Sequence, residues 1–362
     1  MKTTIFFGIL FSTCVTSQNI DIQNNEVMVR YKSFEEYVNY NEGNLGMLPV
    51  PVINSSDHTL SLPVMYMIGT QKGGTVNLGV NIMDHPLLTL GGNPEKGMGG
   101  EVHFFDEEFG KYPSIGEWPG DGKSFDSKVV PEVLSLYSQK IWESMKKTKE
   151  DAWVTLDKSP RYMIDPLAPY RMNMVVPHAK IIVILRDPTD RYFSQLRMSM
   201  CNPEYAFNAN ITPYHRPGKA LEYLQSAEEI YQPYTSICRG EGASAEDLSD
   251  CYERFSKHNP LHRGLYAEQL ERWFRVFDRS QIMIIESSEM FDDMEGVMYR
   301  VSKFVGLPDY NYEYSAGHEH PGCQNNYLSR YQDMYAEESL IREWFKPHNE
   351  RLYELIGRRF SW

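Results

Sequence analysis

Apolar residues along this chain come in short blocks separated by stretches with helical spacing. The clearest block is "AKIIVILRD" at 179–187, whose unbroken apolar run predicts a strand buried on both faces. "VMYMI" at 64–68, "AWVTLD" at 152–157 and "QIMIIES" at 281–287 predict three more strands. "TVNLGVNIMDHP" reads as a helix from Thr75 that stops before Pro86. "PEVLSLYSQKIWESMKK" places Val133, Leu136, Tyr137 and Ile141 on one helical face. "PTDRYFSQLRM" opens a helix with proline in its first turn. "LYAEQLERWFRVF" is another helix, and "MEGVMYRVSKFVGL" is one closed by Gly306. Residues 20–60 look polar and irregular, and residues 91–125, rich in glycine and proline, look like loop. Strands alternating with helices imply an α/β fold, a doubly wound and mainly parallel sheet with helices on both faces. Ligands in such folds sit beyond the carboxyl ends of the strands.

Composition sharpens this picture in three ways. The 362 residues suit one large α/β domain with insertions, expected over 63–362 behind an irregular lead-in at 18–62. A formal net charge of −13 argues against a general nucleic-acid binder and leaves a small local anion site open. The opening "MKTTIFFGILFSTCVTSQ" reads as a secretory signal over residues 1–17, cleaved or retained as a short anchor, and no later segment is apolar enough to span a membrane. Sequons at Asn54 ("NSS") and Asn210 ("NIT") fit that route, through the Golgi lumen or out of the cell. Beyond Cys14, the cysteines Cys201, Cys238, Cys251 and Cys323 allow up to two disulfides, with all three pairings open. Their spacing suits no zinc motif, and no other metal-ligand cluster stands out.

Three polar motifs fall at or just past predicted strand ends. In Gly69-Thr70-Gln71-Lys72-Gly73-Gly74-Thr75, glycines let backbone N–H groups approach an anion, the next helix offers its N-terminus, and Lys72 adds a full charge. The lysine precedes the glycine pair, so the order of a nucleotide triphosphatase loop, with lysine after the last glycine, is absent. In "ILRDPTDRYFS", Arg186 follows the central strand and Ser194 lies on the next helix; both can reach a phosphate. Arg191 in the same motif reads as a helix-surface ion-pair residue. In "LDKSPRY" at 156–162, Lys158 and Ser159 follow a short strand.

Together these residues resemble the sulfotransferase superfamily that uses 3′-phosphoadenosine 5′-phosphosulfate (PAPS). "IGTQKGGT" looks like its 5′-phosphosulfate loop and "KIIVILRDPTDRYFSQ" like its 3′-phosphate segment. "GEVHFFD" at 100–106, "DKSPRY" and the closing "LIREWFKPHNERLYELIGRRFSW" resemble the glycan sulfotransferase branch. The likeness runs from about residue 63 to 362. Two positions depart from it: Val76 stands where a hydroxyl residue is common, and "HEHPGCQNNYLSRYQ" has no basic-glycine run between two cysteines.

The resemblance implies in-line sulfuryl transfer from PAPS to a hydroxyl or amino group, with a loose transition state, no metal, and catalysis by positioning and electrostatics. It implies donor binding by Thr70, Gln71, Lys72, Gly73, Gly74 and Thr75 at the 5′ side, and by Arg186 and Ser194 at the 3′-phosphate. Lys72 would meet charge on the leaving phosphate, and Lys158 would face the sulfonate. Glu101 is the expected general base, its alternative role an ion pair to Lys72 or Lys158. His103, two residues on, would share its side of an extended segment and orient the base or the acceptor. The acceptor class implied is a carbohydrate; a small alcohol or amine, a kinase-like activity and an inactive secreted binding protein are the other readings.

Overall fold

The central strand of the sheet, β5 (Met65–Gly69), is buried along its whole length. β7 (Val154–Lys158) lies on one side of it and β8 (Lys180–Leu185) on the other, both parallel. β6 (Leu88–Gly91) extends the sheet past β7, and β9 (Ile282–Glu286) extends it past β8. The order β6-β7-β5-β8-β9 is parallel throughout, so the expected doubly wound class is the observed one. The chain leaves β5 towards β6 and leaves β8 towards β9. Neighbouring strands whose connections depart in opposite directions open a crevice at their carboxyl ends.

This computed structural model describes residues 65–86, 88–91, 101–109, 133, 136–137, 140–141, 154–201, 243–253, 259–307, 310–313 and 337–362, with strands inside 20–61. The chain divides into two units, Met1–Ser61 and Leu62–Trp362. In the first, β1 (Ile20–Gln23) pairs antiparallel with β2 (Glu26–Tyr31), β2 parallel with β3 (Val52–Asn54), and β3 antiparallel with β4 (Thr59–Ser61). A stretch read as irregular therefore carries four strands. "EVMVRY" alternates at the strand period, a signal that the polar surroundings obscured. β6 was also unassigned, being four residues between Pro86 and a glycine pair. The leader, Asn210 and most of the cysteines lie outside the described residues. Among the described residues no helix is long and apolar enough to cross a membrane.

Helices cover both faces of the sheet. Met65, Met67, Ile182 and Ile184 pack on one face with Leu78 and Ile82 of α1 (Thr75–Ile82) and with Val297, Met298 and Val301 of α7 (Met294–Val305). On the other face Tyr66, Ile68, Ile181, Val183 and Leu185 are equally buried. There Trp273 of α5 (Tyr266–Val276) donates its indole N–H to the Met163 carbonyl, at 3.3 Å, just ahead of α2 (Ala168–Val175). Leucine-sized side chains buried this way each contribute about 1.5–3 kcal/mol. α4 (Ala245–Cys251) packs through Cys251 against Tyr192, Phe193 and Leu196, and the single turn α6 (Glu289–Asp292) follows β9. Cys251 is disulfide-bonded.

Two helices fix the carboxyl end of β8. α3 (Pro188–Cys201) starts directly after "RD" because Asp187 caps it, its Oδ1 accepting from the N–H groups of Thr189 (2.8 Å) and Asp190 (3.3 Å). The other oxygen of Asp187 accepts from Arg342 on α8 (Glu338–Ile356), whose Ile341 and Phe345 pack on Tyr192 and Phe193 of α3. Asp187→Ala should therefore cost about 1 kcal/mol through the lost cap, with little added by the half-exposed Arg342 pair. Urea unfolding measures this; an unchanged midpoint would remove Asp187 as the cap.

Candidate active site

The three sequence motifs meet at the carboxyl ends of β5, β7 and β8, the three central strands. The loop after β5 is tied to β8 by Thr70 N–H donating to the Ile184 carbonyl at 2.8 Å. Gly73 N–H turns back to the Thr70 carbonyl, also at 2.8 Å. A side chain at Gly73 would meet that same Ile184 carbonyl at 2.8 Å, and Gly74, at φ 105°, caps α1 in the left-handed region. Gly73 is thus required by the tight approach of loop to strand, and Gly74 by its left-handed backbone. Lys72 is left-handed as well, at φ 70°, a conformation uncommon outside glycine. The first-turn amides of α1 have no partner within the helix, which makes this end an anion site in waiting.

Positive charge gathers around that loop. Arg186 Nη1 donates to the Lys72 carbonyl at 3.4 Å. Burial lowers the Lys72 pKa, and repulsion from Arg186, Arg197 and Arg191 lowers it further. Arg191 is fully buried rather than on the helix surface as its sequence position suggested. Its Nη1 donates to Gln195 Oε1 at 2.7 Å and its Nη2 to the Pro260 carbonyl. Burial pulls its pKa down to about 10, with Arg186 adding to the fall. Arg263, from the same segment as Pro260, donates to Gln71. Tyr266 O–H donates to the Arg186 carbonyl at 2.8 Å. Ser194 lies half-buried on α3, two turns beyond Arg186.

A second cluster surrounds Glu101. Its Oε2 lies 2.7 Å from His103 Nε2, and its Oε1 lies 3.6 Å from Lys158 Nζ. The ion pair to Lys158 anticipated as an alternative role is therefore present, while Lys72 makes no such pair among the described residues. His103 is not extended: at φ 52° it is left-handed, and the two side chains meet through this turn rather than through strand alternation. His103 Nδ1 lies 2.9 Å from Asp106 Oδ2. Burial opposes charge on this imidazole, but hydrogen bonds to Asp106 and Glu101 outweigh it and raise the pKa to about 9. The ring is then a cation at neutral pH, a donor at both nitrogens. Lys158 is almost wholly buried and its Nζ makes no hydrogen bond among the described residues. Burial lowers its pKa against the opposing pull of Glu101.

Asp106 escaped the sequence reading, though its spacing in Glu-x-His-x-x-Asp offered a signal. Glu107 with Asp106 and His103 makes a loose group of metal-ligand type. Arg161 pairs with Glu107 and lies 3.7 Å from Asp106, so a cation there would share these carboxylates with a guanidinium.

A doubly wound parallel sheet with a glycine-lysine loop at its crevice has the form of an anion-binding α/β site. A family model described as the sulfotransferase domain matches residues 63–340, most of the chain, and the chain belongs to that family. It is a sulfotransferase. It is 23% identical over 332 residues to heparan sulfate glucosamine 3-O-sulfotransferase 3B1 of Mus musculus, covering 87% of this chain and 68% of that protein. It is 24% identical to heparan sulfate glucosamine 3-O-sulfotransferase 3A1 of the same organism, covering 83% of this chain but only 64% of that protein, less than two thirds of its length. Among solved structures, a sulfotransferase from Alicyclobacillus acidocaldarius aligns with a TM-score of 0.48 and 23% identity, over 83% of this chain and 98% of that one.

The charge of His103 is directly measurable. Its imidazole should titrate near 9 by NMR, and Glu101→Gln should lower that midpoint by removing one of the two carboxylates. A midpoint near 6.5 in the unmodified protein would contradict the cluster as described.

Proposed function

We propose that the protein transfers a sulfuryl group from PAPS to a hydroxyl of a carbohydrate acceptor, with Glu101 as general base. The observation that carries this reading is the 3.6 Å approach of Glu101 to Lys158, on the strand beside the Lys72 loop. Base, sulfonate-facing cation and phosphate loop then share one crevice.

The donor supplies an activated sulfuryl group and two phosphate sites. The first-turn amides of α1 and Lys72 would hold its 5′ phosphosulfate, and Arg186 with Ser194 its 3′-phosphate. The residues fit such a polyanion: Lys72 stands among Arg186, Arg191 and Arg197, whose mutual repulsion a dianionic group would relieve. Lys72 offsets charge on the departing phosphate oxygen. Lys158, desolvated and short of hydrogen bonds, faces the equatorial oxygens. Glu101 takes the acceptor proton as the new S–O bond forms. His103 holds Glu101 in place and, being already protonated, is not itself the base at neutral pH.

The acceptor class is proposed from the names of the relatives, which act on heparan sulfate glucosamine. A secretory compartment is proposed from the leader and sequons, and the Cys251 disulfide agrees with an oxidising lumen. The test is a screen with labelled PAPS across desulfated heparan-type oligosaccharides, other glycans and small alcohols. Label should enter a glycan; entry into small alcohols alone would overturn the acceptor class. With the active acceptor, Glu101→Gln should cut kcat by about 10²–10⁴-fold at unchanged affinity for adenosine 3′,5′-bisphosphate. Arg186→Ala should instead weaken that affinity, by about 2–5 kcal/mol if the contact is dry. Normal turnover by the first variant, or normal binding by the second, removes the corresponding role.

A further inference from the structure

We infer that Asp157, buried beneath the site, is a positioning residue that holds the Glu101 segment in register through two hydroxyl groups. This rests on Glu101 as the base. Asp157 Oδ1 accepts from Ser159 Oγ at 2.7 Å, and Oδ2 accepts from Tyr162 O–H at 3.0 Å and Tyr137 O–H at 2.8 Å. Ser159 Oγ in turn accepts from the N–H groups of Val102 and His103, both at 3.1 Å. Tyr162 Oη accepts from the N–H groups of Phe104, at 2.9 Å, and Phe105, at 3.4 Å. One carboxylate therefore governs four consecutive backbone amides, from Val102 immediately after Glu101 to Phe105. These amides belong to the left-handed turn and the π-helical turn at Phe104–Glu108, which have no strand ladder to hold them.

The direction of every bond in this relay depends on Asp157 being acceptor-only. A hydroxyl has one hydrogen and two lone pairs. Ser159 and Tyr162 can each accept from two amides only while their hydrogens point at Asp157. A donor at position 157 would consume a lone pair on one of them and leave a buried backbone N–H unpaired. Burial raises the Asp157 pKa to about 6, against the pull of the three hydroxyls and His103, so the carboxylate form holds at neutral pH. A plain packing role would need no particular polarity at this position.

The test uses Asp157→Asn, Ser159→Ala and Glu101→Gln in the full chain. Turnover is measured with labelled PAPS and a heparan-type oligosaccharide, and binding with adenosine 3′,5′-bisphosphate. Asp157→Asn should lower kcat by about 10²-fold, the scale of a misplaced reacting group, at unchanged nucleotide affinity. In a Glu101→Gln background the same substitution should add little, because its effect passes through the base. An equal loss in both backgrounds, or no loss in either, overturns the proposal. Should Asp157→Asn fail to fold, Ser159→Ala decides. It removes no charge, so a lower His103 titration midpoint reports a loosened segment, and an unchanged midpoint with unchanged kcat refutes the relay. Wild-type turnover by Glu101→Gln alone refutes the base assignment instead, independently of what the Ser159 variant does to His103.

Discussion

Like charges held together away from water are the constraint around which this molecule is built. Lys72, Arg186 and Arg191 converge where β5 and β8 end, and Arg191 is entirely desolvated. Removing a cation from water costs several kcal/mol, and repulsion adds to that cost. The surroundings answer with dipoles: the Pro260 carbonyl and Gln195 for Arg191, the Lys72 carbonyl for Arg186. The one carboxylate next in sequence, Asp187, is turned outwards to cap α3 and pair with Arg342. Dipoles hold the cations in place without neutralising them. The field therefore stays available to an anion.

That arrangement explains which parts of the molecule were legible from sequence. Parallel strands buried on both faces must be continuously apolar, so "KIIVIL" could be read without its partners. The glycine-lysine loop and Arg186 could be placed at strand ends because the fold class puts ligands there. Arg191 could not: its spacing in α3 is the same whether it faces water or the interior, and only the Pro260 segment, 69 residues away, settles which. Asp157 was hidden for a related reason. It sits inside a strand, its partners are hydroxyls at 137, 159 and 162, and the amides that two of those hydroxyls hold come from residues 102–105. The strands of the first unit were missed because short alternating segments in a polar stretch carry too little apolar signal.

The Glu101 cluster solves the opposite electrostatic problem. Here carboxylates outnumber the cations they touch, and charge alternates from the core outwards: Asp157, then Lys158 beside Glu101, then His103 between Glu101 and Asp106. Glu101 meets Lys158 at 3.6 Å, too long for a hydrogen bond, and keeps one short contact, to His103. The imidazolium orients it, with one ring nitrogen engaged by Glu101 and the other by Asp106.

His103 and Asp157 both have pKa values raised by folding, and the sign of that shift separates stability from function. His103 goes from 6.5 to about 9, so its contribution is complete below 6.5 and lost as pH rises through 9. Asp157 goes from 3.8 to about 6, so the folded state favours its protonated form, and stability falls as pH rises through that interval. At neutral pH His103 still stabilises the fold while the ionised Asp157 opposes it. An uncharged acceptor would be the better choice for stability alone. The carboxylate persists beneath the site because only a pure acceptor keeps all three hydroxyl hydrogens pointing inwards, and with them the four amides that follow Glu101.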